Sequence, residues 1–397
     1  MKNYRCSWDL PVLAPEDRIL LLCARIRLDE NHKESLRSNV LKIKDWSGLL
    51  AKTGPHRLAS MTLSHLKECL GPAMPLGVEE PLKRQALLQV LGYLKIAAAQ
   101  QRLNERVLAD VDVPHLFFKG IGLAEEYYPF PGRRPCRDID IWIDPEGIGE
   151  VWSRLAAMGY RRVEKADRTH EIPAHHAAHL LPTIDVLSPD GVLIEIHTRL
   201  DHSGLTINAE KFYKQSKLIS TAIGALRVPC LEDHYAYICQ HHTRHLWARL
   251  RWLVDLDAFE KHPHFDRRSV RKFAAGKALA DTVAACFDLY DGLNDPELLE
   301  KPCASMEGSE LKRSVLTASV SGPDQTNQAA RDRKTPDFAL PWQYSWWYVL
   351  RVKLRVLKPT QADYLSWPLD RKHWWLHYLM RPIRKLRSMF GSAPKSV

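Results

Sequence analysis

The chain has 397 residues, of which 45% are hydrophobic and 26% are charged, an ordinary globular composition. This length is sufficient to bury a large core and predicts two or three lobes. The formal net charge of +10 favours anionic ligands such as nucleotides, nucleic acid, acidic polymers or a membrane surface, although charge alone identifies no partner.

The eight cysteines are scattered and form no CxxC pair, which argues against a disulfide-dense framework and predicts reduced thiols. The first residues lack the apolar core of a signal peptide. No apolar run approaches the roughly 18 residues that suggest a transmembrane helix. We therefore expect a soluble, cytoplasmic protein without a transmembrane segment.

Residues 1–112 are predicted to form an N-terminal helical region. Pro15, followed by two acidic residues, is typical of a first helical turn, and apolar residues then recur at helical spacing. Gly54 and Gly71, each followed by proline, are predicted to interrupt the pattern. We expect this region to contribute packing and assign it no chemistry.

Residues 113–205 are predicted to form an α/β core. The apolar run at 115–119 is long enough for a buried strand, and Gly120 and Gly122 open a segment with helical periodicity. Prolines end that helix, and residues 137–143 read as a second strand.

Two aspartates lie in this second strand. Asp138 and Asp140 alternate with isoleucines, and successive strand side chains point to opposite faces, so both carboxylates share one face. Neighbouring carboxylates repel each other unless a divalent cation lies between them. Mg²⁺ is typically bound by one or two carboxylates together with substrate phosphates, so this pattern favours phosphate chemistry.

A hairpin is predicted farther along the core, with arms at 180–187 and 192–200. Its turn, Ser-Pro-Asp-Gly at 188–191, is a clear turn signal. Strand alternation in the second arm places Glu195 and His197 on one face.

Residues 206–299 are predicted to be a helical region that packs on the core. Its longest run, 232–260, is rich in histidine and arginine, and helical spacing puts His241 and His245 on one face with Arg249. That face either binds substrate or consists of packing histidines, and the two interpretations are equally good. The absence of an HExxH motif or a cysteine pair argues against zinc.

Residues 300–340 are polar and almost free of aromatics, which predicts a linker or loop. Residues 341–397 are predicted to form a C-terminal helical region with a basic tail. Its RPIRKLR stretch, preceded by aromatic residues, could lie on an anionic membrane or hold nucleic acid. A basic helix docked by its aromatic face is the favoured interpretation, because aromatic residues dominate ordinary cores.

The Lys119-Gly120 turn, the helix after it and the DIDIWI strand together resemble the uncharacterised nucleotidyltransferase family of the polymerase-β-like superfamily. VLIEIHTRL at 192–200 and HHTRHLWARLRWLVDLD at 241–257 extend the resemblance over most of the chain. It implies an α+β fold, a small mixed β-sheet core flanked by N- and C-terminal helical regions. It also implies transfer of a nucleoside monophosphate from a nucleoside triphosphate (NTP) to an acceptor, with release of pyrophosphate and with Mg²⁺ or Mn²⁺ as the metal.

In that superfamily, three carboxylates on adjacent strands bind two divalent ions that stabilise an in-line displacement at the α-phosphate. Asp138 and Asp140 match the first two carboxylates. Glu195 is the candidate for the third, with Asp185 on the preceding arm as a rival. Another D-x-D pair, at 255–257, lies in a predicted helix, where residues two apart do not face each other.

Lys119, Gly120 and Gly122 are candidates for binding the phosphates, because backbone amides at a helix N-terminus bind anions. Better-known members of the superfamily have Gly-Ser here, so Lys119 would have to replace the serine contact by charge. Simple backbone geometry explains the two glycines equally well.

Two arginines flank the aspartate strand and could bind a phosphate or orient Asp138 or Asp140 by an ion pair. Because Arg137 precedes Asp138 and should face away from the metals, Arg134 is the preferred phosphate ligand. His197 and His245 complete the candidate set of ligand-binding residues.

The acceptor is not specified by these patterns and could be a small molecule, a peptide, a protein or RNA. A catalytically silent nucleotide- or partner-binding protein on the same fold is the alternative, motivated by the missing serine. Transfer of the γ-phosphoryl group is a third possibility, for which the sequence has no Walker or kinase motif.

Overall fold

The computed structural model describes residues 13–165, 167–201, 204–275, 279–300, 310–326, 346–354, 358–373 and 375–390. The chain divides into two compact units. Unit 1 comprises Met1–Leu94, Leu123–Cys136 and Cys230–Tyr344, and unit 2 comprises Lys95–Gly122, Arg137–Pro229 and Ser345–Val397.

Helices account for most of the described residues. In the first half of the chain they are α1 (Pro15–Cys23), α2 (Glu30–Lys42), α3 (Trp46–His56), α4 (Ala59–Leu70), α5 (Leu76–Leu103), α6 (Gly120–Tyr127), α7 (Ile148–Ala157) and α8 (Ala174–Leu180). The later ones are α9 (Ala209–Lys214), α10 (Leu231–Arg244), α11 (Arg251–Glu260), α12 (Arg267–Ala275), α13 (Ala280–Asn294), α14 (Pro296–Glu300), α15 (Glu310–Ser321), α16 (Trp346–Leu354), α17 (Gln361–Ser366) and α18 (Leu376–Phe390). None of these helices combines the length and apolar character needed to cross a membrane.

Unit 2 contains a five-stranded sheet. Its strands are β1 (His115–Phe117), β2 (Asp138–Ile143), β3 (Arg161–Arg162), β4 (Thr183–Leu187) and β5 (Leu193–His197). They lie in the order β1-β2-β5-β4-β3, with β2 and β5 parallel and the other pairs antiparallel. The predicted fold, a small mixed sheet with helical flanks, is therefore confirmed.

The two faces of the central strands differ in polarity, as the alternation predicts. Ile139 and Ile141 of β2 and Ile194 and Ile196 of β5 are all buried. The intervening positions carry Asp138, Asp140 and Trp142 on β2 and Leu193, Glu195 and His197 on β5. One face of the strands thus packs in the core, and the other face carries the polar side chains.

A hairpin in unit 2 corrects the prediction that the chain after residue 206 is helical. β6 (Lys217–Thr221) and β7 (Gly224–Val228) form a separate antiparallel pair. Gly224, at the end of the turn, has a positive φ of 99°, a conformation that glycine adopts at low steric cost. The strands are short and β6 is largely exposed, so its hydrophobic pattern is weak.

The predicted helix at 232–260 is two helices, α10 and α11. Leu246 and Trp247, between them, have φ values of 55° and 52°, a left-handed conformation that interrupts an α-helix. The prediction that His241, His245 and Arg249 share one helical face is therefore wrong, because α10 ends at Arg244.

Part of the segment predicted as a linker or loop is helical. α15 lies within 300–340 and buries Leu311, Val315 and Leu316, which are spaced as one helical face. Residues 301–309 and 327–340 of that segment lie outside the described residues.

Candidate functional site

The site is built where β2 and β5 run side by side. In this parallel pair, Asp140 lies opposite Glu195 and Trp142 lies opposite His197. Residues opposite each other in a ladder project from the same face, so the carboxylates of two strands meet. The polar positions of β2 and β5 thus form one surface.

Three potential ligand groups converge on this surface. His197 Nε2 lies 3.1 Å from Asp140 Oδ1 and 3.4 Å from Glu195 Oε2. One ligand atom from each of the three residues lies within 4.8 Å of the other two. Within the described part of the chain, this is the one cluster of three or more His, Cys, Asp and Glu side chains with that geometry.

Lys119 adds a positive charge to the cluster. Its Nζ forms an ion pair with Asp140 Oδ1. Burial by itself raises the pKa of Asp140, but the ammonium of Lys119 and the ring of His197 outweigh burial and hold that pKa below its ordinary value. Asp140 is therefore a carboxylate at neutral pH, although its side chain is only 6% exposed.

His197 is oriented from two sides. Its ring contacts Phe118 edge to face, with centroids 4.9 Å apart, while Nε2 faces Asp140. Strand alternation placed His197 beside Glu195, but its proximity to Asp140 depends on the β2–β5 pairing. Strand alternation alone therefore does not predict this histidine as a candidate metal ligand.

Asp138 lies two residues before Asp140 on β2 and faces the same side of the sheet. It is half-buried, and its carboxylate is not a member of the three-residue cluster. Its assignment as a metal ligand stays a prediction.

The rival third carboxylate has a different partner. Asp185 on β4 lies opposite Glu195 in the ladder, but its Oδ2 is paired with Lys165 Nζ at 2.7 Å. This arrangement favours Glu195 over Asp185 as the partner of Asp140.

The turn between β1 and α6 contains two glycines, and each is favoured for a different structural reason. Gly120 has a φ of 56°, a left-handed conformation that glycine adopts without strain. A Cβ on Gly122 would lie 3.1 Å from the carbonyl oxygen of Phe117 and 3.2 Å from a methyl of Val228. Both are explained by backbone geometry, and phosphate binding by this turn stays a prediction.

Arg134 does not occupy the position that the sequence suggested. Its guanidinium is buried in unit 1 and donates to both carboxylate oxygens of Asp255, at 2.8 and 3.0 Å. Tyr128 and His242 contact the same carboxylate, at 2.6 and 3.2 Å. We therefore correct the assignment: the guanidinium of Arg134 is buried in an ion-pair network of unit 1, where it is not accessible to a phosphate.

The two carboxylates of the second D-x-D pair, at 255 and 257, face different partners, as expected for residues two apart in a helix. Asp255 faces the Arg134 network, whereas Asp257 accepts hydrogen bonds from the backbone of Ile26 at 2.7 Å and from Tyr290 at 2.8 Å. The two carboxylates thus have different partners, in agreement with the helical spacing.

His245 directly follows α10 in unit 1, where its ring packs against His241 and Trp252. Those contacts are typical of aromatic packing. Its assignment as a ligand-binding residue stays a prediction.

Comparison with known proteins identifies one family. A family model described as an uncharacterised nucleotidyltransferase matches residues 42–292, which include β2, β5 and Lys119. No curated protein matches the chain. Because the family match spans more than half of the sequence, the chain belongs to the uncharacterised nucleotidyltransferase family.

Proposed function

We propose that this protein transfers a nucleoside monophosphate from an NTP to an acceptor, with release of pyrophosphate and in dependence on a divalent cation. The observation that carries the proposal is the meeting of Asp140, Glu195 and His197 on one sheet face beside Lys119. Membership of the family supports the general reaction class.

Asp140, Glu195 and His197 are the residues that would hold the cation. Their donor set fits the proposal, because carboxylate oxygens suit Mg²⁺ and Mn²⁺ and an imidazole nitrogen is better suited to Mn²⁺ than to Mg²⁺. We assign Asp138 as an additional ligand. When bound, the cation would neutralise negative charge on the reacting phosphate.

Lys119 is positioned to bind the phosphates electrostatically. It lies at the N-terminus of α6, where backbone amides and the helix dipole also favour anions. Asp140 holds the ammonium beside the cluster, next to the proposed position of the metal-bound phosphates. This charge takes the place of the serine contact typical of better-known members of the superfamily.

Glu195 is the best-placed group to accept the proton of the attacking acceptor hydroxyl. Its side chain is 29% exposed, against 6% for Asp140, so an acceptor can approach it. A carboxylate within hydrogen-bond reach of the nucleophile is a typical general base. Asp140 is too enclosed for that role.

The proposed reaction takes place in the cytoplasm. The described cysteines are free thiols, which supports a reducing compartment. The acceptor is a hydroxyl-bearing molecule of a class still to be identified among small molecules, peptides, proteins and RNA.

The test is label transfer from NTPs that carry radioactive phosphate at either the α or the γ position. The purified protein is incubated with Mg²⁺ or Mn²⁺ and a cell extract as the source of acceptor. We expect a new labelled product from the α-labelled NTP alone, together with labelled pyrophosphate from the γ-labelled NTP. Asp140→Asn and Glu195→Gln should each abolish the product.

Asp185→Asn is the matched control, because Asp185 lies opposite Glu195 on the same face but is paired with Lys165. It should retain the activity. A product labelled from the γ position would show phosphoryl transfer instead. Metal-dependent NTP binding without any labelled product, across several extracts, would favour the silent-binding alternative.

A further inference from the structure

The positive charge of the protein is concentrated near its C-terminus. Residues 341–397 contain eleven lysines and arginines against two aspartates, so they carry +9 of the formal net charge of +10. The same residues contain six of the twelve tryptophans. This segment therefore combines strong positive charge with large amphipathic aromatic side chains.

One side of α18 is an exposed apolar stripe. Trp375, directly before the helix, and Tyr378, Leu379 and Ile383 within it are each more than half exposed, with Leu379 at 61%. Their spacing of three and four residues places them on a single helical face. Exposure of four large apolar groups on one face is uncommon for a helix packed in a globular core.

The opposite side of α18 packs against α17. Arg381 and Arg384 form ion pairs with Asp363, at 2.9 and 3.1 Å, and His377 is buried. The helix is thus docked by its polar side and presents its aromatic side outward. The sequence-based interpretation, docking by the aromatic face, is wrong for these residues.

α16 also presents exposed apolar side chains. Trp346, Trp347, Leu350 and Leu354 are exposed, and the two indole rings stack with centroids 3.9 Å apart. Arg351 and Lys353, also exposed, lie among these apolar residues in the sequence.

We propose that the exposed apolar faces of α16 and α18 lie on an anionic lipid bilayer. Tryptophan and tyrosine prefer the headgroup region, leucine and isoleucine insert just below it, and lysine and arginine attract anionic lipids. The helices would lie in the interface, since none of the described helices can span a bilayer.

Two other occupants fit the same residues less well. A nucleic acid would use the charges and the aromatic rings, but it has no use for aliphatic side chains such as Leu379 and Ile383. A second copy of the chain could cover the apolar stripes, but its segment would also carry +9, so like charges would meet. An anionic bilayer complements both the charge and the apolar stripes.

The test is flotation of the full-length protein with vesicles of phosphatidylcholine alone or with about one third phosphatidylglycerol. We expect the protein to float with the anionic vesicles and to remain in solution with the neutral ones. Raising the salt concentration should weaken the association, because it screens the charges. Brominated lipids should quench tryptophan fluorescence.

Leu379→Glu/Ile383→Glu should reduce partition by about tenfold or more, because two apolar contacts are lost and negative charge is introduced. Arg351→Glu/Lys353→Glu should reduce it by a similar factor through charge alone. The matched control is Leu87→Glu/Leu91→Glu, which alters two exposed leucines of α5 and should leave partition unchanged.

Three results would overturn the proposal. The first is a natural protein that stays in solution at all lipid compositions. The second is partition that both C-terminal variants leave unchanged. The third is a protein that binds no vesicles but forms a dimer or an RNA complex. If Leu379→Glu/Ile383→Glu disrupts that dimer or complex, the alternative occupant of the surface is identified.

Discussion

The ammonium group of Lys119 is paired with Oδ1 of Asp140, the most buried of the three carboxylates that we propose as metal ligands. The ion pair neutralises Asp140 without a metal. A divalent cation must therefore compete with Lys119 for this oxygen. Binding of a metal–NTP complex would release the lysine to the phosphates.

This competition predicts opposite effects of Lys119→Met. Without nucleotide, Mn²⁺ should bind more tightly, because its competitor is gone. NTP should bind more weakly, by about ten- to a hundredfold, since a charge-assisted hydrogen bond contributes roughly 1.5–3 kcal/mol. Isothermal titration calorimetry of each ligand measures both effects. Lys214→Met, which removes an exposed ion pair with Glu210, is the control and should change neither value.

His197→Gln should weaken Mn²⁺ binding by about tenfold and Mg²⁺ binding by less, because imidazole is a better ligand for Mn²⁺. Titrations of both metals in the presence of a non-hydrolysable NTP provide the comparison. An unchanged Mn²⁺ affinity would place His197 outside the metal site.

Gly120→Ala should lower the free energy of unfolding by roughly 1–2 kcal/mol, because its φ of 56° strains any residue with a Cβ. Gly92→Ala, within α5, has open space around the new methyl group and should raise stability by up to about 1 kcal/mol. Urea denaturation compares the two. Equal effects of the same sign would contradict the structural difference between these glycines.

Asp255→Asn should destabilise the fold strongly, by about 3–5 kcal/mol, because it leaves the buried guanidinium of Arg134 without its countercharge. Asp110→Asn breaks an exposed pair with Arg154 and should cost less than about 1 kcal/mol. Urea unfolding measures both. A cost as small for Asp255→Asn as for the exposed pair would show that the network contributes little.

Acid should destabilise the protein through two buried histidines. Burial lowers the pKa of His56 and of His242 from the ordinary value of 6.5 to about 4. Between these pH values the unfolded chain binds more protons than the folded one, so the free energy of unfolding falls as the pH falls from 6.5 to 4. Urea unfolding over this range should give a shallower decline for His56→Gln/His242→Gln. The exposed-site variant His373→Gln should follow the natural protein.

The elements of the site with a strong local pattern could be predicted from the sequence. Alternation in β2 and β5 was sufficient to group Asp138 with Asp140 and Glu195 with His197. It could not show which strands are neighbours. The parallel pairing of β2 with β5, which puts Asp140 opposite Glu195, follows from tertiary structure.

The incorrect predictions have similar physical causes. Arg134 lies near the aspartate strand in sequence, but its partner Asp255 is 121 residues away and cannot be found from local spacing. At Leu246 and Trp247 the backbone becomes left-handed and the helix is interrupted. Neither residue is a glycine or a proline, so the sequence gives no signal for this interruption. On α18, the periodic aromatic residues indicated one face correctly but not whether that face is covered.

Calorimetric titration of the four NTPs with Mg²⁺ can detect the metal-dependent nucleotide site that we propose at Asp140 and Glu195. The natural protein should bind at least one NTP in a metal-dependent manner. Asp138→Ala/Asp140→Ala and Glu195→Gln should lose this binding, while Asp185→Asn retains it. Equal NTP binding by the natural protein and by folded Asp138→Ala/Asp140→Ala would contradict the assignment of the site.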